Sequence, residues 1–318
     1  MNNPVLLSIG IITHNHEQFL QQLFHGIFMQ KVNFSFEVIC FDDASDDKTL
    51  TILNNYQSKY PALITVMHNT ISKGPNYCAK ITYQHFKGKY ISWLDGDDYW
   101  IYEEKLQKQI DFLDSHPEYN GCFHDAQIVS VTENSISSQG LYFSEYKYYS
   151  QFNKFHQNFY PWDVIERNII PTASLIIRKN DKILSFFTTF SDVNLSLIWA
   201  LQIFMVKDSK FRYFNEAWSV YNDHPQGISK TRTIYEFKQS NIKILKRFAK
   251  DKQLKFLKNS IYRTIANEYR QILISPKISQ TKKSYFFKIL LLFSYYYFAT
   301  FRYEWKNIFE NNKFNNVK

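Results

Sequence analysis

Five aspartates lie in two clusters, and each cluster directly follows a short apolar segment of the sequence. They are Asp42 and Asp43, after residues 36–41, and Asp95, Asp97 and Asp98, after residues 89–94. Carboxylates this close together repel one another unless a cation lies between them. Hard oxygen ligands suit Mg²⁺ or Mn²⁺, which also bind substrate phosphates. The clusters therefore indicate a site for a divalent metal and a diphosphate, and the alternative is an acidic turn with solvated carboxylates.

The segments before the two clusters are continuous apolar runs with β-branched residues, which is typical of buried parallel strands. Similar runs alternate with stretches of helical periodicity up to residue 131. This βαβαβαβαβ order predicts an α/β fold with a mostly parallel central sheet flanked by helices. Ligands of open α/β sheets bind beyond the carboxyl ends of the strands, so both clusters are expected to face one crevice.

The predicted elements extend over most of the chain. Strands are predicted at residues 5–12, 36–41, 63–67, 89–94, 121–131, 172–177 and 211–221, and helices at residues 16–31, 48–60, 76–86, 103–115 and 193–206. Residues 132–170 are irregular and rich in Ser, Asn, Tyr and Phe. From residue 234 the pattern is helical and basic, with a break at Pro276.

Several nucleotide-binding and hydrolase motifs are absent from the sequence. It contains no GxGxxG, GxxxxGK[ST] or GxSxG, so a Rossmann dinucleotide site, a P-loop and an α/β hydrolase are unsupported. A nucleotidyltransferase acting on sugar phosphates also uses carboxylates and Mg²⁺, but it usually has a glycine-rich or basic loop near the first strand, and residues 14–16 are not one. A basic nucleic-acid-binding protein is a third hypothesis, which the carboxylates of the expected crevice argue against.

Four motifs occur in an order and spacing that resemble those of a known family. They are residues 12–15 (ITHN), 36–47 (FEVICFDDASDD), 94–100 (LDGDDYW) and 105–109 (KLQKQ). Together they are similar to the family-2 glycosyltransferases of the GT-A fold, with their Pro-Thr-Tyr-Asn turn, Asp-Asp-x-Ser-x-Asp nucleotide loop and Asp-x-Asp metal motif. The resemblance is closest to a bacterial subgroup with a Gly-Asp-Asp-Tyr-Trp motif, and it covers about residues 5–230.

This resemblance implies an inverting, metal-dependent glycosyltransferase. Such an enzyme moves a sugar from a nucleotide-sugar donor, here expected to be a UDP-sugar, to a glycan or lipid-linked acceptor. The implied pathway is the synthesis of a bacterial surface polysaccharide or lipooligosaccharide. The expected cofactor is Mn²⁺ or Mg²⁺, which neutralises the leaving diphosphate. Inversion also requires a carboxylate that takes the proton of the acceptor hydroxyl.

The resemblance also implies roles for individual residues. Thr13, Asn15 and Asp43 would bind the nucleotide, Asp95 and Asp97 the donor, Asp97, Asp98 and His224 the metal, and Asp192 would be the catalytic base. His14 and His16 are interpreted as residues that shape the turn after the first strand. The chain departs from the family pattern at residues 72–76 (SKGPN) and at Ser191, where the family usually has the Glu of a Glu-Asp pair.

The charge of the chain is unevenly distributed. Residues 233–318 carry 18 Lys and Arg against 5 Asp and Glu, a net charge of +13, whereas residues 1–232 carry 20 against 24, a net charge of −4. We therefore predict a GT-A-like catalytic domain over residues 1–232 and a basic, aromatic-rich helical tail over residues 233–318. Residues 1–131 would form the half of the catalytic domain that binds the nucleotide-sugar. Residues 132–232 would form the half that binds the acceptor, and we expect the acceptor to bind at the irregular residues 132–170.

The tail contains a 13-residue uncharged run at residues 289–301, flanked by lysines and by Arg302. The run is too short to span a bilayer but fits an interfacial segment anchored by aromatic and cationic side chains. Since neither a signal peptide nor a membrane-spanning run is predicted, we expect a cytoplasmic protein. It would contact the inner face of the bacterial membrane through residues 276–318. The alternative is a tail that packs on the catalytic domain and leaves its lysines solvated.

Overall fold

A computed structural model of the 318-residue chain describes residues 4–132, 135–141, 157–193, 195–275 and 283–315. For residues 132, 135–141, 283 and 301–315 the description covers the backbone alone. Part of the segment expected to bind the acceptor, and residues 276–282 of the expected membrane segment, lie outside the described residues. The chain divides into a first unit, Met1–Tyr160 with Ile169–Lys230, and a second unit, Pro161–Asn168 with Thr231–Lys318.

The elements alternate between strands and helices through the first half of the chain. The strands are β1 (Val5–Thr13), β2 (Ser35–Asp42), β3 (Ile64–His68), β4 (Tyr90–Asp95), β5 (Tyr99–Trp100), β6 (Tyr119–Thr132), β7 (Ser135–Leu141), β8 (Asn158–Phe159), β9 (Ile176–Arg178) and β10 (Lys210–Asp223). The helices are α1 (Leu20–Phe28), α2 (Thr49–Lys59), α3 (Pro75–Gln84), α4 (Lys105–Ser115), α5 (Pro161–Glu166), α6 (Lys182–Thr189), α7 (Leu197–Val206), α8 (Ile228–Thr231), α9 (Ile234–Phe248), α10 (Lys258–Leu273) and α11 (Lys283–Asn315).

The strands of the first unit form one sheet in the order β3-β2-β1-β4-β9-β6-β10-β5, with β7 paired to β6 and β8 to β10. Strands β3, β2, β1 and β4 run parallel to one another, and β6 runs parallel to β10. Strand β9 is antiparallel to both of its neighbours, β4 and β6. The predicted α/β fold with a mostly parallel sheet and C-terminal helices is therefore confirmed.

The register of three parallel strands brings the two acidic clusters to the same edge of the sheet. Thr13 of β1 pairs with Asp42 of β2, and Ile12 of β1 pairs with Asp95 of β4. Strand β1 is buried between these neighbours, and Leu7, Ile9 and Ile11 have no exposed surface. Because burial of each such side chain contributes about 1.5–3 kcal/mol, the strand that aligns the clusters is fixed in the core.

The strand predicted at residues 172–177 is wrong in its first half. Thr172–Ser174 form a short 3-10 helix, and β9 begins only at Ile176. The hydroxyl of Ser174 donates a hydrogen bond to the carbonyl of Pro171 at 2.7 Å, which closes this turn. The apolar composition that suggested a strand instead reflects burial, since Ala173 is also part of the core.

Two predicted helices begin later than their apolar periodicity suggests. Helix α1 begins at Leu20 rather than at residue 16, because the backbone N–H groups of His16 and Glu17 donate to the side chains of Thr49 and Asp47. Helix α7 begins at Leu197 rather than at residue 193, after Ser196 in the left-handed region with a φ of 61°. In both cases the turn before the helix is occupied by tertiary contacts.

The second unit is helical in its described residues. Helix α9 begins with a capping box, in which Thr233 and Glu236 each bond to the backbone N–H of the other. Helix α11 packs against α10 through Tyr296, whose ring stacks on that of Tyr269 with centroids 5.9 Å apart. Among the described residues no helix is both long enough and apolar enough to cross a membrane.

Candidate active site

The turn after β4 holds a carboxylate that meets two histidines from distant parts of the chain. Oδ2 of Asp97 lies 3.0 Å from Nε2 of His224 and 3.8 Å from Nε2 of His16. His16 follows β1, and His224 follows β10. One ligand atom from each of the three residues lies within 4.8 Å of the other two. We call His16, Asp97 and His224 the Asp97 cluster.

Gly96 is required for the close approach of these elements. A Cβ atom at this position would lie 2.5 Å from Nδ1 of His16 and 2.6 Å from Cγ2 of Thr13. The backbone N–H of Gly96 donates to the carbonyl of Ile12 at 2.9 Å, which continues the pairing of β1 and β4 beyond their ends. Any larger residue would push the aspartate turn away from His16.

The protonation of the Asp97 cluster follows from burial and from the contacts between its members. Burial opposes ionisation of Asp97, but the hydrogen bond from His224 and the charge of His16 hold its pKa below the usual value. The hydrogen bond to Asp97 in turn raises the pKa of His224. Burial lowers the pKa of His16. The hydrogen bond between Asp97 and His224 thus lowers the pKa of the carboxyl group and raises the pKa of the imidazole.

The two other carboxylates of this turn have different surroundings. Burial and the charges of Asp97 and Asp95 raise the pKa of Asp98 well above its usual value, and its Oδ1 accepts the backbone N–H of Asn222 at 3.0 Å. Burial and the charge of Asp97 raise the pKa of Asp95 to about 7, and Asp95 is hydrogen-bonded to the side chain of Thr172. Asp98 lies outside the Asp97 cluster, so its predicted role as a metal ligand stays a prediction.

Asp43 organises the loop that follows β3. Its two carboxylate oxygens accept hydrogen bonds at 2.7–2.8 Å from the side chains of Asn69 and Ser72 and from the backbone N–H groups of Lys73 and Gly74. Burial opposes ionisation, but these four donors hold the pKa of Asp43 below its usual value. Asp43 therefore fixes the shape of this loop through four hydrogen bonds.

The other residues predicted to bind the nucleotide also take part in loop contacts. The hydroxyl of Thr13 donates to Asp42 at 3.1 Å. Asn15 has a φ of 58°, its backbone N–H donates to the hydroxyl of Ser45 at 2.9 Å, and its side-chain oxygen accepts the N–H of Asp46 at 3.0 Å. The turns after β1 and β2 are thus hydrogen-bonded to each other. Together they lie on one side of the Asp97 cluster.

The predicted base, Asp192, is exposed on the turn between α6 and α7. The next residue, Val193, accepts a hydrogen bond from the side-chain amide of Asn76 at the start of α3. Since Asn76 follows the loop that Asp43 organises, the structure links the turn of Asp192 to the same end of the sheet.

His16 is the residue of the site that sequence reasoning missed. Together with His14, it is interpreted from the sequence as a residue that shapes the turn after the first strand. The signal that could have identified it is the expected adjacency of the first and fourth strands, which places the turn after β1 beside the Asp-x-Asp motif.

The Asp97 cluster fits a divalent metal ion. Two imidazole nitrogens and one carboxylate oxygen suit a transition-metal ion such as Mn²⁺, and three protein ligands leave coordination positions open for a diphosphate.

The family model described as "Glycosyl transferase family 2" matches residues 8–183, which include β1, the Asp43 loop and the Asp-Gly-Asp-Asp turn. The chain belongs to glycosyl transferase family 2. The chain is also similar to the uncharacterized protein Rv1520 of Mycobacterium tuberculosis, at 28% identity over 225 residues, or 70% of this chain. That match spans only 60% of the length of the relative. A narrower match, 30% identity over 110 residues (34% of this chain and 19% of the relative), is to the poly(ribitol-phosphate) beta-N-acetylglucosaminyltransferase TarS of Staphylococcus aureus.

The solved structures of TarS and of a mannosyltransferase share the fold of this chain. S. aureus TarS 1-349 in complex with UDP-GlcNAc superposes with a TM-score of 0.60 at 18% identity, over 88% of this chain and 76% of that one. The mannosyltransferase PcManGT of Pyrobaculum calidifontis, in complex with GDP-Man and Mn²⁺, gives a TM-score of 0.52 at 12% identity, over 94% and 84% of the two chains. At sequence identities this low, the structural similarity establishes the GT-A-like fold alone.

Proposed function

We propose that the chain is an inverting, metal-dependent glycosyltransferase that moves a sugar from a UDP-sugar to a glycan or lipid-linked acceptor. The pathway would be the synthesis of a bacterial surface polysaccharide or lipooligosaccharide. The observation that carries the proposal is the Asp97 cluster, placed at the carboxyl ends of β1 and β4 beside the Asp43 loop. Donors of two relatives, UDP-GlcNAc and GDP-Man, bind proteins of this fold and support a nucleotide-sugar donor.

Asp97 and His224 would hold the divalent ion, Mn²⁺ or Mg²⁺, and the role of Asp98 as a further ligand stays a prediction. When bound, such an ion neutralises the diphosphate that leaves the donor. The Asp43 loop, with Thr13 and Asn15, would bind the nucleotide. Asp95 would contact the donor sugar or ribose, and its pKa of about 7 lets it donate or accept a hydrogen bond near neutral pH.

Asp192 would act as the base. A carboxylate on the acceptor side of the sugar accepts the proton of the acceptor hydroxyl while that oxygen attacks the anomeric carbon. Asp192 is exposed, and the bond between Asn76 and Val193 holds its turn. A nucleotidyltransferase remains the second enzymatic hypothesis, and it has no specific structural observation in its favour.

We also propose that α11 makes peripheral contact with the inner membrane face. Phe287, Leu291, Tyr295 and Phe298 lie along one side of this helix and are 60%, 71%, 63% and 68% exposed. Ile289 on the opposite side is only 3% exposed, so the helix packs through one face and presents an apolar stripe to solvent. The net charge of +13 over residues 233–318 favours an anionic lipid surface as the partner of this stripe.

The decisive experiment is a screen of nucleotide-sugar hydrolysis and transfer. Purified protein is incubated with UDP- and GDP-sugars in Mn²⁺, in Mg²⁺ and in EDTA, and the released nucleoside diphosphate is measured. We expect release from a UDP-sugar that requires the metal. Full activity in excess EDTA would contradict metal dependence, and release of pyrophosphate from a sugar phosphate and a nucleoside triphosphate would favour the nucleotidyltransferase.

A further inference from the structure

We infer that His16 is a third protein ligand of the divalent ion. The site would then hold the ion through two imidazole nitrogens as well as through the carboxylate of Asp97 in the Asp-x-Asp turn. This inference rests on the proposed metal dependence, but it concerns a residue that the motif of this turn does not include.

The distances within the Asp97 cluster suit a shared ion. Atoms that coordinate one ion at bond lengths of about 2.0–2.2 Å lie roughly 3 Å apart when adjacent and roughly 4 Å apart when opposite. Nε2 of His224 and Nε2 of His16 lie 3.0 and 3.8 Å from Oδ2 of Asp97. Both distances fall within that range, so a small side-chain movement is sufficient for coordination.

The packing of His16 directs its Nε2 atom to this point. The ring lies against Gly96, where a Cβ atom would come within 2.5 Å of Nδ1. Nδ1 is buried and has no hydrogen-bond partner among the described residues. The ring also stands edge-on to that of His224, at 83° with centroids 6.3 Å apart. Nε2 is therefore the atom of His16 that faces the carboxylate of Asp97.

The shape of the turn does not require an imidazole at residue 16. The turn is held by backbone groups of His16, whose N–H donates to Thr49 at 2.8 Å and whose carbonyl accepts the N–H of Phe19 at 2.9 Å. Its imidazole contributes to neither bond. A small polar residue would close the same turn, so the hydrogen bonds of the turn do not account for the imidazole.

Two imidazole ligands predict the choice of metal. Imidazole nitrogen favours transition-metal ions, whereas Mg²⁺ prefers oxygen ligands and keeps most of its waters. We therefore expect the protein to bind Mn²⁺ more tightly than Mg²⁺. We also expect this preference to depend on His16 and not on the neighbouring His14, which is exposed and contacts the carbonyl of Asp43.

The first test is a titration of the protein with Mn²⁺ alone, followed by the electron paramagnetic resonance signal of the free ion. His16→Ala should weaken Mn²⁺ binding by about tenfold or more, since loss of even an indirect partner of a metal typically costs 10–100-fold in affinity. The matched control is His14→Ala in the same turn, which should bind Mn²⁺ like the wild type. Equal binding by the wild type and His16→Ala would overturn the inference.

The second test separates coordination from packing. Electron spin-echo modulation of the Mn²⁺-loaded protein should detect two directly coupled imidazole nitrogens in the wild type and one in His16→Ala or His224→Ala. His16→Asp replaces nitrogen with oxygen and should lower the ratio of Mn²⁺ affinity to Mg²⁺ affinity. A single coupled nitrogen in the wild type would overturn the inference, even if His16→Ala binds Mn²⁺ weakly.

These readouts distinguish the inference from the proposed function. Metal binding through His16 without sugar transfer would support the role of His16 as a ligand and would contradict the proposed glycosyltransferase function. Metal-dependent transfer with one coupled nitrogen would support the function and exclude His16 as a ligand. A wild-type protein that binds no Mn²⁺ would contradict both.

Discussion

The side-chain amide of Asn76 donates a hydrogen bond to the backbone carbonyl of Val193, which lies 117 residues later in the chain. Asn76 is at the start of α3, directly after the loop held by Asp43, and Val193 directly follows Asp192. The bond therefore joins the proposed base turn to the proposed nucleotide loop. It explains how an exposed residue on a short turn could keep a fixed position relative to the donor.

The first prediction concerns Asp192 as the base. Asp192→Asn keeps the volume of the side chain but removes its basicity, so the turnover number should fall by a factor on the order of 10² or more. The KM for the donor should change little, since the donor would not contact this side chain. Asp181→Asn, an exposed aspartate before α6, is the control and should keep wild-type turnover. A parallel loss of donor affinity would make Asp192 a binding residue.

The second prediction separates Asp97 from Asp98. Ala at either position should remove most transfer activity, but for different reasons. Asp97→Asn should also abolish Mn²⁺ binding, because the ionised carboxylate is lost from the Asp97 cluster. Asp98→Asn should weaken Mn²⁺ binding less than Asp97→Asn does, because Asp98 lies outside the Asp97 cluster and its amide oxygen can still accept the N–H of Asn222.

The measurements for this second prediction are Mn²⁺ titration and donor hydrolysis, with thermal unfolding as the check that each variant folds. Loss of Mn²⁺ binding in a folded Asp98→Asn protein would show that Asp98 is itself a ligand.

The third prediction concerns Asp43. Asp43→Asn places an amide group where a carboxylate oxygen accepts two hydrogen bonds, so two donors of the loop lose their acceptor. A hydrogen bond to a charged group contributes about 1.5–3 kcal/mol to stability, and two such bonds are lost. We expect a lower melting temperature and at least a roughly tenfold loss of UDP affinity, measured by calorimetry. The control is the exposed Asp46→Asn. Unchanged UDP affinity in spite of a lower melting temperature would show that the loop does not bind the nucleotide.

The fold and the two acidic clusters could be predicted from the sequence because each depends on local information. A buried parallel strand such as β1 is a continuous apolar run, and Asp43 and Asp97 follow such runs directly. Their common edge then follows from the parallel arrangement of the strands. Four motifs in order also indicated the family.

The contacts of the site could not be predicted in the same way, because they depend on tertiary approach. His16 approaches Asp97 only because Gly96, which has no side chain, leaves room for the ring of His16 beside the turn after β4. Asp98 bonds to Asn222 only because β10 returns beside β5, and β5 is two residues long. Neither relationship has a periodicity or a motif in the chain.

The fourth prediction concerns the pH dependence of stability. Lys105 has no exposed surface, donates to Oε1 of Gln109 at 2.8 Å and lies 4.3 Å from the centre of the Trp100 ring. Burial lowers its pKa to about 7 from 10.5. Between these values the unfolded chain binds more protons than the native protein does, so Lys105 makes the free energy of unfolding rise with pH, by up to about 1.4 kcal/mol per unit.

Lys105→Met should remove this contribution. Urea unfolding at several values from pH 7 to pH 10 should give a flatter pH dependence for the variant than for the wild type. Lys108→Met on the same helix changes a side chain that is 45% exposed, and it should keep the wild-type slope. Parallel slopes for the wild type and Lys105→Met would mean that Lys105 titrates at its ordinary pKa.

The fifth prediction concerns the apolar stripe of α11. Phe287→Ser combined with Leu291→Ser removes two of the four exposed side chains of the stripe and leaves every charge in place. Even partial insertion of each residue into lipid contributes about 1 kcal/mol, so the double variant should bind vesicles roughly tenfold or more weakly. Binding is measured by co-sedimentation with phosphatidylcholine vesicles that contain or lack phosphatidylglycerol. Phe256→Ser is the matched control, since Phe256 is 62% exposed in the same unit but lies outside α11.

The wild type should bind the anionic vesicles and should be partly released by high salt, because the attraction between exposed lysines and the lipid is screened. The neutral vesicles should retain much less protein, since the apolar stripe alone gives a weak anchor. The double variant should keep donor hydrolysis, because neither residue belongs to the proposed active site. If the wild type fails to sediment with anionic vesicles at low salt, or if the double variant binds as tightly as the wild type, the stripe does not contact lipid. A concentration-dependent dimer that the double variant abolishes would then identify a second copy of the chain as its partner.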